Sequence, residues 1–318
     1  MIKVLEKEDV LIFYKKEVVM RIIALFIIAS LFFGGNEEVF AQDTSGESEV
    51  QEVRLMRQKG RSIAQEEYYI KLLELSLEKT KDTHGPYEMV LTDTAYFQRE
   101  GLVNMRRGED IDVIYTMTSN AREMVFRPVR IPILKGLAGH RISFVKEGDE
   151  DIMVNVTLKA DLANFAFTQG SDWPDTEILE KNGLEVIKNQ NYNELFNILL
   201  NGRADAFPRA ATEITGEIEA HKDKKIALEQ NVVIQYPTAF YYFVKKSNTS
   251  LAERIEAGLK KAIEDGSFQT MFDIYNGQYI KKLNLDQRQY INLDNPLLPE
   301  KTPVNESHYW LDVGSADL

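Results

Sequence analysis

The sequence contains no cysteine, which excludes disulfides, thiolate chemistry and a lipid-bearing N-terminal cysteine. Histidine is scarce. His84, His140, His221 and His308 stand far apart, with no i,i+4 partner and no carboxylate at metal-ligand spacing, so the pattern calls for no metal. No glycine-rich phosphate loop ends in Lys-Ser/Thr, and no serine stands in a Gly-x-Ser-x-Gly elbow; no cofactor is expected. Positive charge is also short: 38 Lys and Arg against 50 Asp and Glu leave a formal charge of −12. That sign is a poor match to nucleic acid.

What is present suits a globular protein of one large or two medium domains, with 318 residues of which 44% are hydrophobic. Arg21 precedes an apolar run over residues 22–33, and Val39, Phe40 and Ala41 supply small residues at the spacing of a signal-peptidase site. The run falls short of the roughly 20 residues that span a bilayer, so residues 20–41 read as a cleaved secretory signal. Residues 1–19 carry Glu6, Glu8, Asp9 and Glu17 where a signal needs basic residues. Lys16-Glu17-Val18 fits a purine-rich ribosome-binding sequence, which makes Met20 the expected start and 1–19 an untranslated leader. The first 41 residues hold five Lys/Arg and six Asp/Glu, so about −11 remains on the expected mature chain.

The stretch from 108 to 136 organises the remainder. Ile111-Asp112-Val113-Ile114-Tyr115 is a β-branched and aromatic run of a length suited to a buried parallel strand. It stops in Thr116, Met117, Thr118, Ser119 and Asn120, and Arg122 follows almost at once. Open α/β sheets bind ligands where strands end, and a guanidinium offers a planar fork of donors to a carboxylate or phosphate. The segment therefore reads as an anion seat, with the alternative that residues 118–120 only cap a helix and Arg122 is a solvated charge.

Along the chain, residues 42–52 are polar and acidic and read as a flexible lead-in. Residues 53–56 suggest a strand, 67–81 a helix ending before Gly85-Pro86, 88–92 a strand and 98–107 a helix ending at Gly108. Residues 140–145 form a strand leading to the acidic linker 147–151, where a domain crossing is expected. The same grammar then repeats: strand 165–167, loop, helix 174–181, strand 184–187, helix 192–200, and Gly202-Arg203-Ala204-Asp205 before another apolar run. Strands follow at 232–236 and 239–244. Ser250 with Glu253 forms a capping-box pattern for the next helix, and Gly266 separates it from a further helical segment at 271–275. Pro296, Pro299 and Pro303 rule out a long helix in the tail.

These pieces, in this order from about residue 52 to 277, resemble the type II periplasmic solute-binding proteins, in particular the amino-acid-binding family of ABC importers. The matching residues are Gly108 to Asp112, Thr116 to Ser119, Arg122, and Phe126-Arg127-Pro128-Val129. The resemblance implies an α/β fold of two lobes, each a mostly parallel sheet flanked by helices, joined by two crossing strands. Lobe 1 would take residues 53–145 and 238–282, lobe 2 residues 146–237, and the tail 283–318 would pack on lobe 1. It also implies a ligand held by Thr116, Met117, Thr118 and Arg122 from the first lobe, with Gly170, Ser171, Asp172 and Trp173 at a helix N-terminus of the second. Asp172 or Asp175 would cap that helix, and Trp173 either stacks on a ligand or packs.

Two departures stand out. Family members that bind amino acids place an aspartate for the ammonium where this chain has Ala210, and Arg209 stands beside it, facing either the cleft or solvent. The segment from Asp112 to Arg122 is also about two residues shorter than in those binders. The expected protein is thus a monomeric, secreted periplasmic binder of a small anionic organic molecule, working with a membrane permease or a membrane sensor. The alternative is an enzyme on the same fold, resembling dehydratases that use a cleft carboxylate as general acid or base.

Overall fold

The computed structural model describes residues 50–59 and 63–311. The expected leader, signal and most of the lead-in lie outside the described residues. The first lobe opens with β1 (Gln51–Gln58), α1 (Ile63–Glu78), α2 (Lys81–His84), β2 (Tyr87–Tyr96), α3 (Gln98–Arg107), β3 (Val113–Met117), α4 (Asn120–Val125) and β4 (Phe126–Pro128). The chain then builds a second lobe from β5 (His140–Lys146), β6 (Ala166–Gly170), α5 (Pro174–Lys181), β7 (Glu185–Asn189), α6 (Tyr192–Leu200), β8 (Phe207–Ala210), α7 (Ala211–Ala220), β9 (Ile226–Leu228) and β10 (Val232–Gln235). It returns through β11 (Phe240–Lys245), α8 (Thr249–Glu264) and α9 (Ser267–Lys282), and ends in β12 (Gln289–Asn292) and an irregular tail.

The two lobes share one plan. The first sheet runs β2-β1-β3-β11-β4, with β1, β2 and β3 parallel and β11 antiparallel to its neighbours. In the second, β6 and β7 are parallel, a parallel bridge joins Phe167 to Ala206 at the start of β8, and β5 runs antiparallel to β8 and β10. In each lobe a glycine in the left-handed region, Gly108 (φ 78°) or Gly202 (φ 68°), ends a helix, and an aspartate starts the next strand. Asp112 accepts the Arg54 backbone N–H at 2.9 Å and returns its own N–H to the Arg54 carbonyl at 3.0 Å, locking β3 beside β1.

Each strand places its apolar residues on the core. Val53, Leu55, Val113, Leu72, Leu73, Val244 and Leu259 are fully buried in the first lobe, and Val145, Phe167 and Ile178 in the second. Each such side chain contributes about 1.5–3 kcal/mol by leaving water. Helices α1 and α8 meet at Gly258, where a Cβ would stand 1.9 Å from the Ser76 carbonyl oxygen. Only glycine permits that approach.

The structure differs from the sequence-based expectation at three places. β5, expected before the domain crossing, already belongs to the second sheet, because its partners are β8, β9 and β10. The tail was expected on the first lobe; instead β12 adds in parallel to β10, burying Ile291 and Leu293 in the second core, and only then does Trp310 return to cover Gly136. The cap of α8 is Asn248, whose side chain accepts the Leu251 N–H at 3.2 Å, rather than Ser250.

Candidate functional site

A cleft of about 940 Å³ is lined by both lobes and by α9. On the first lobe, Thr116 and Met117 end β3, and Ser119 caps α4 by accepting the Arg122 N–H at 3.3 Å. The turn thus caps a helix, as its alternative reading has it, while Thr116 and Met117 before it and Arg122 after it line the cleft. The Arg122 guanidinium donates to the Met117 carbonyl and, at 2.5 Å, to Gln98 Oε1. Both acceptors are neutral. Burial lowers the Arg122 pKa, and the field of Asp175 on the second lobe acts against that shift.

The second lobe supplies two more arginines, each held by carboxylates. Arg141, at the start of β5, is 4% exposed and donates to Asp175, which also accepts the Tyr236 hydroxyl at 2.5 Å. Burial opposes the charge of Arg141, but Asp175 and its other neighbours outweigh it and the net shift is upward. Arg209, on β8, faces the cleft and donates to Glu217 through Nε at 2.8 Å and Nη2 at 2.6 Å; Nη2 also lies 3.1 Å from Glu213. Of the two orientations expected for Arg209 the structure has the one toward the cleft, and one and two turns of helix beyond it bring Glu213 and Glu217 onto its guanidinium.

Among the described residues the lining holds five cationic side chains, Lys59, Arg122, Arg141, Arg209 and Lys282, against three carboxylates, Asp175, Glu213 and Glu217. A surplus of positive charge thus collects in a chain that carries −12 overall. Among the described residues, three polar atoms on lining residues are buried without a hydrogen-bond partner: Thr116 Oγ1, Arg141 Nε and Asn276 Nδ2. Leaving such groups unsatisfied costs about 1–3 kcal/mol each.

Of the sequence-predicted residues, Thr116, Met117, Arg122, Trp173 and Arg209 line the cleft. Thr118 does not; it is buried, with its hydroxyl donating to Glu123 at 2.8 Å. Gly170, Ser171 and Asp172 are likewise outside the lining. Gly170 instead supports Trp173, since a Cβ there would stand 2.4 Å from the indole ring. Neither Asp172 nor Asp175 caps α5: the N-cap is Trp173, Pro174 brings no N–H, and the Asp175 carboxylate serves Arg141 and Tyr236. Negative Asp175 and Glu177 in its first turn make this helix start a poor anion site.

Sequence reading missed Arg141 and Asn276. The first was visible as a charge inside an apolar strand run, and the second as the polar member of the Phe268, Phe272, Asn276 helical stripe.

No family model matches the chain, and no curated protein matches it. Solved structures do. The probable amino-acid ABC transporter extracellular-binding protein YtmK from Bacillus subtilis is 18% identical, with a TM-score of 0.53 over 72% of this chain and 99% of that one. The chain has the two-lobed binding-protein fold. An ancestral arginine-binding protein bound to arginine (17% identity, TM-score 0.47, 72% and 98% covered) is also similar. So is an ancestral amino acid-binding protein that is a precursor of cyclohexadienyl dehydratase (14% identity, TM-score 0.47, 70% and 94% covered). These neighbours are consistently solute-binding proteins, at identities that speak for the fold and not for a ligand.

Proposed function

We propose that the protein is a secreted periplasmic solute-binding protein that takes a small anionic organic molecule into the cleft and presents it to a membrane permease or receptor. The observation that carries this reading is that three residues lining the cleft each bury a polar atom that has no hydrogen-bond partner among the described residues. Arg141 Nε and Asn276 Nδ2 only donate, the Thr116 hydroxyl donates as readily as it accepts, and Arg122, also in the lining, donates to two neutral acceptors. Donors without acceptors, beneath a surplus of positive charge, suit a carboxylate.

Binding rather than catalysis is the better reading, because Asp175, Glu213 and Glu217 are each engaged by an arginine. A carboxylate whose oxygens are taken up by a guanidinium is poorly placed to receive a proton from a bound molecule. The test is a thermal-shift screen of organic acids against standard amino acids, with hits measured by calorimetry and assayed for product. A ligand at 100 times its Kd stabilises the fold by about 2.7 kcal/mol. Stabilisation by amino acids alone, or turnover of a bound acid, overturns the reading.

A further inference from the structure

Arg209 sits in a cage. Its guanidinium carbon lies 4.5 Å from the centroid of Trp173, 5.4 Å from Phe207 and 5.9 Å from Tyr192. Glu217 takes two of its hydrogen bonds, and Glu213 lies at ion-pair distance. Aromatic faces attract a cation through the negative centre of their rings, and two carboxylates supply acceptors for its N–H groups. This is the chemistry of a receptor for a guanidinium or ammonium group, with the protein's own side chain as its occupant.

The cage is held from outside Arg209. Trp173 is pressed by Gly170 beneath its ring and stacks near-parallel to Phe207, at 6.2 Å and 17°. Tyr192 packs edge-on against Phe196, and Glu213 and Glu217 stand one turn apart on α7. Removing the Arg209 side chain leaves these walls in place with two carboxylates turned toward the space.

We infer that this cage is a cation subsite of the cleft which the chain fills with its own Arg209, so that wild-type protein refuses solutes bearing a guanidinium or ammonium group there. Loss of the side chain opens the subsite to such a cation. The inference deepens the proposed function and rests on the cleft being the solute site. Its test is independent of any organic acid, because the probe carries no anionic group.

Methylguanidinium chloride is titrated into wild type, Arg209→Ala and the double variant Arg209→Ala with Glu217→Gln, with sodium chloride as the ionic control. Melting temperature and calorimetry are the readouts. Arg209→Ala is expected to bind the probe at least tenfold more tightly than wild type, and the double variant to lose most of that gain. Equal responses in wild type and Arg209→Ala overturn the inference, as does an undiminished response in the double variant. If Arg209→Ala does not fold unaided, recovery of its folded circular dichroism by methylguanidinium, and not by sodium, supports the inference; no recovery overturns it.

Discussion

Asp205 and Ala166 are bonded in both directions: the Asp205 carboxylate accepts the Ala166 N–H at 2.8 Å, and the Asp205 N–H donates to the Ala166 carbonyl at 2.7 Å. The pair repeats in the second lobe what Asp112 and Arg54 do in the first. Asp205→Ala leaves a backbone donor without its charged acceptor and is expected to cost about 1–3 kcal/mol. Denaturant unfolding should show a lower midpoint with an unchanged slope. An unshifted midpoint argues that the repeated aspartate does not hold the strands together.

Arg122→Ala abandons two neutral acceptors, which costs the fold at most about 1–3 kcal/mol each, and should weaken the bound acid by about 1.5–3 kcal/mol, ten- to a hundredfold. Calorimetry with the best screened ligand decides it. An affinity equal to wild type removes Arg122 from the seat.

Gly170→Ala places a methyl group within the Trp173 ring, 2.4 Å from its nearest atom. Overpacking of this kind costs about 1–3 kcal/mol. The indole must move, so tryptophan fluorescence is expected to change together with stability. Trp310, the only other tryptophan in the sequence, sits against Gly136 and serves as an internal constant. A variant with wild-type fluorescence and stability contradicts this packing.

His140 is 3% exposed, and burial lowers its pKa from 6.5 to about 4, against the opposing effect of its Nδ1–H bond to the Gly136 carbonyl. The unfolded chain therefore binds a proton at pH values where the folded one does not. Stability is complete above about pH 6.5 and falls as the pH drops toward 4, by roughly 3 kcal/mol. His140→Gln should flatten that limb of the pH profile in denaturant titrations. If the variant retains the wild-type dependence, other groups are responsible.

The helices were legible where glycine and proline punctuate them. Pro174 fixes the start of α5, Gly108 the end of α3, and the apolar spacing of Leu195, Phe196 and Leu199 defines α6. The strand after Gly108 was legible as apolar, but its sheet partners were not, because pairing is a matter of long-range contacts that local composition does not encode. That is why β5 was expected on the wrong side of the crossing. In the cleft, Arg209 stood out as a departure from the family pattern. Its neutralisation by Glu213 and Glu217 depended on the turn from β8 into α7, which sets the direction of that helix. Arg141 and Asn276 became meaningful only when the fold left their polar atoms buried and unpartnered.

The arrangement of strands also dictates when the molecule can form during synthesis. β3 and β4 are complete by Pro128, yet β11, the strand that lies between them, ends at Lys245. The edge of the second sheet arrives later still, with Asn292. A nascent chain therefore carries the open edges of both sheets until most of its length has been made. Such edges are sites where strands of other chains add, so the late arrival of β11 and β12 leaves pairing sites open for most of the chain's length.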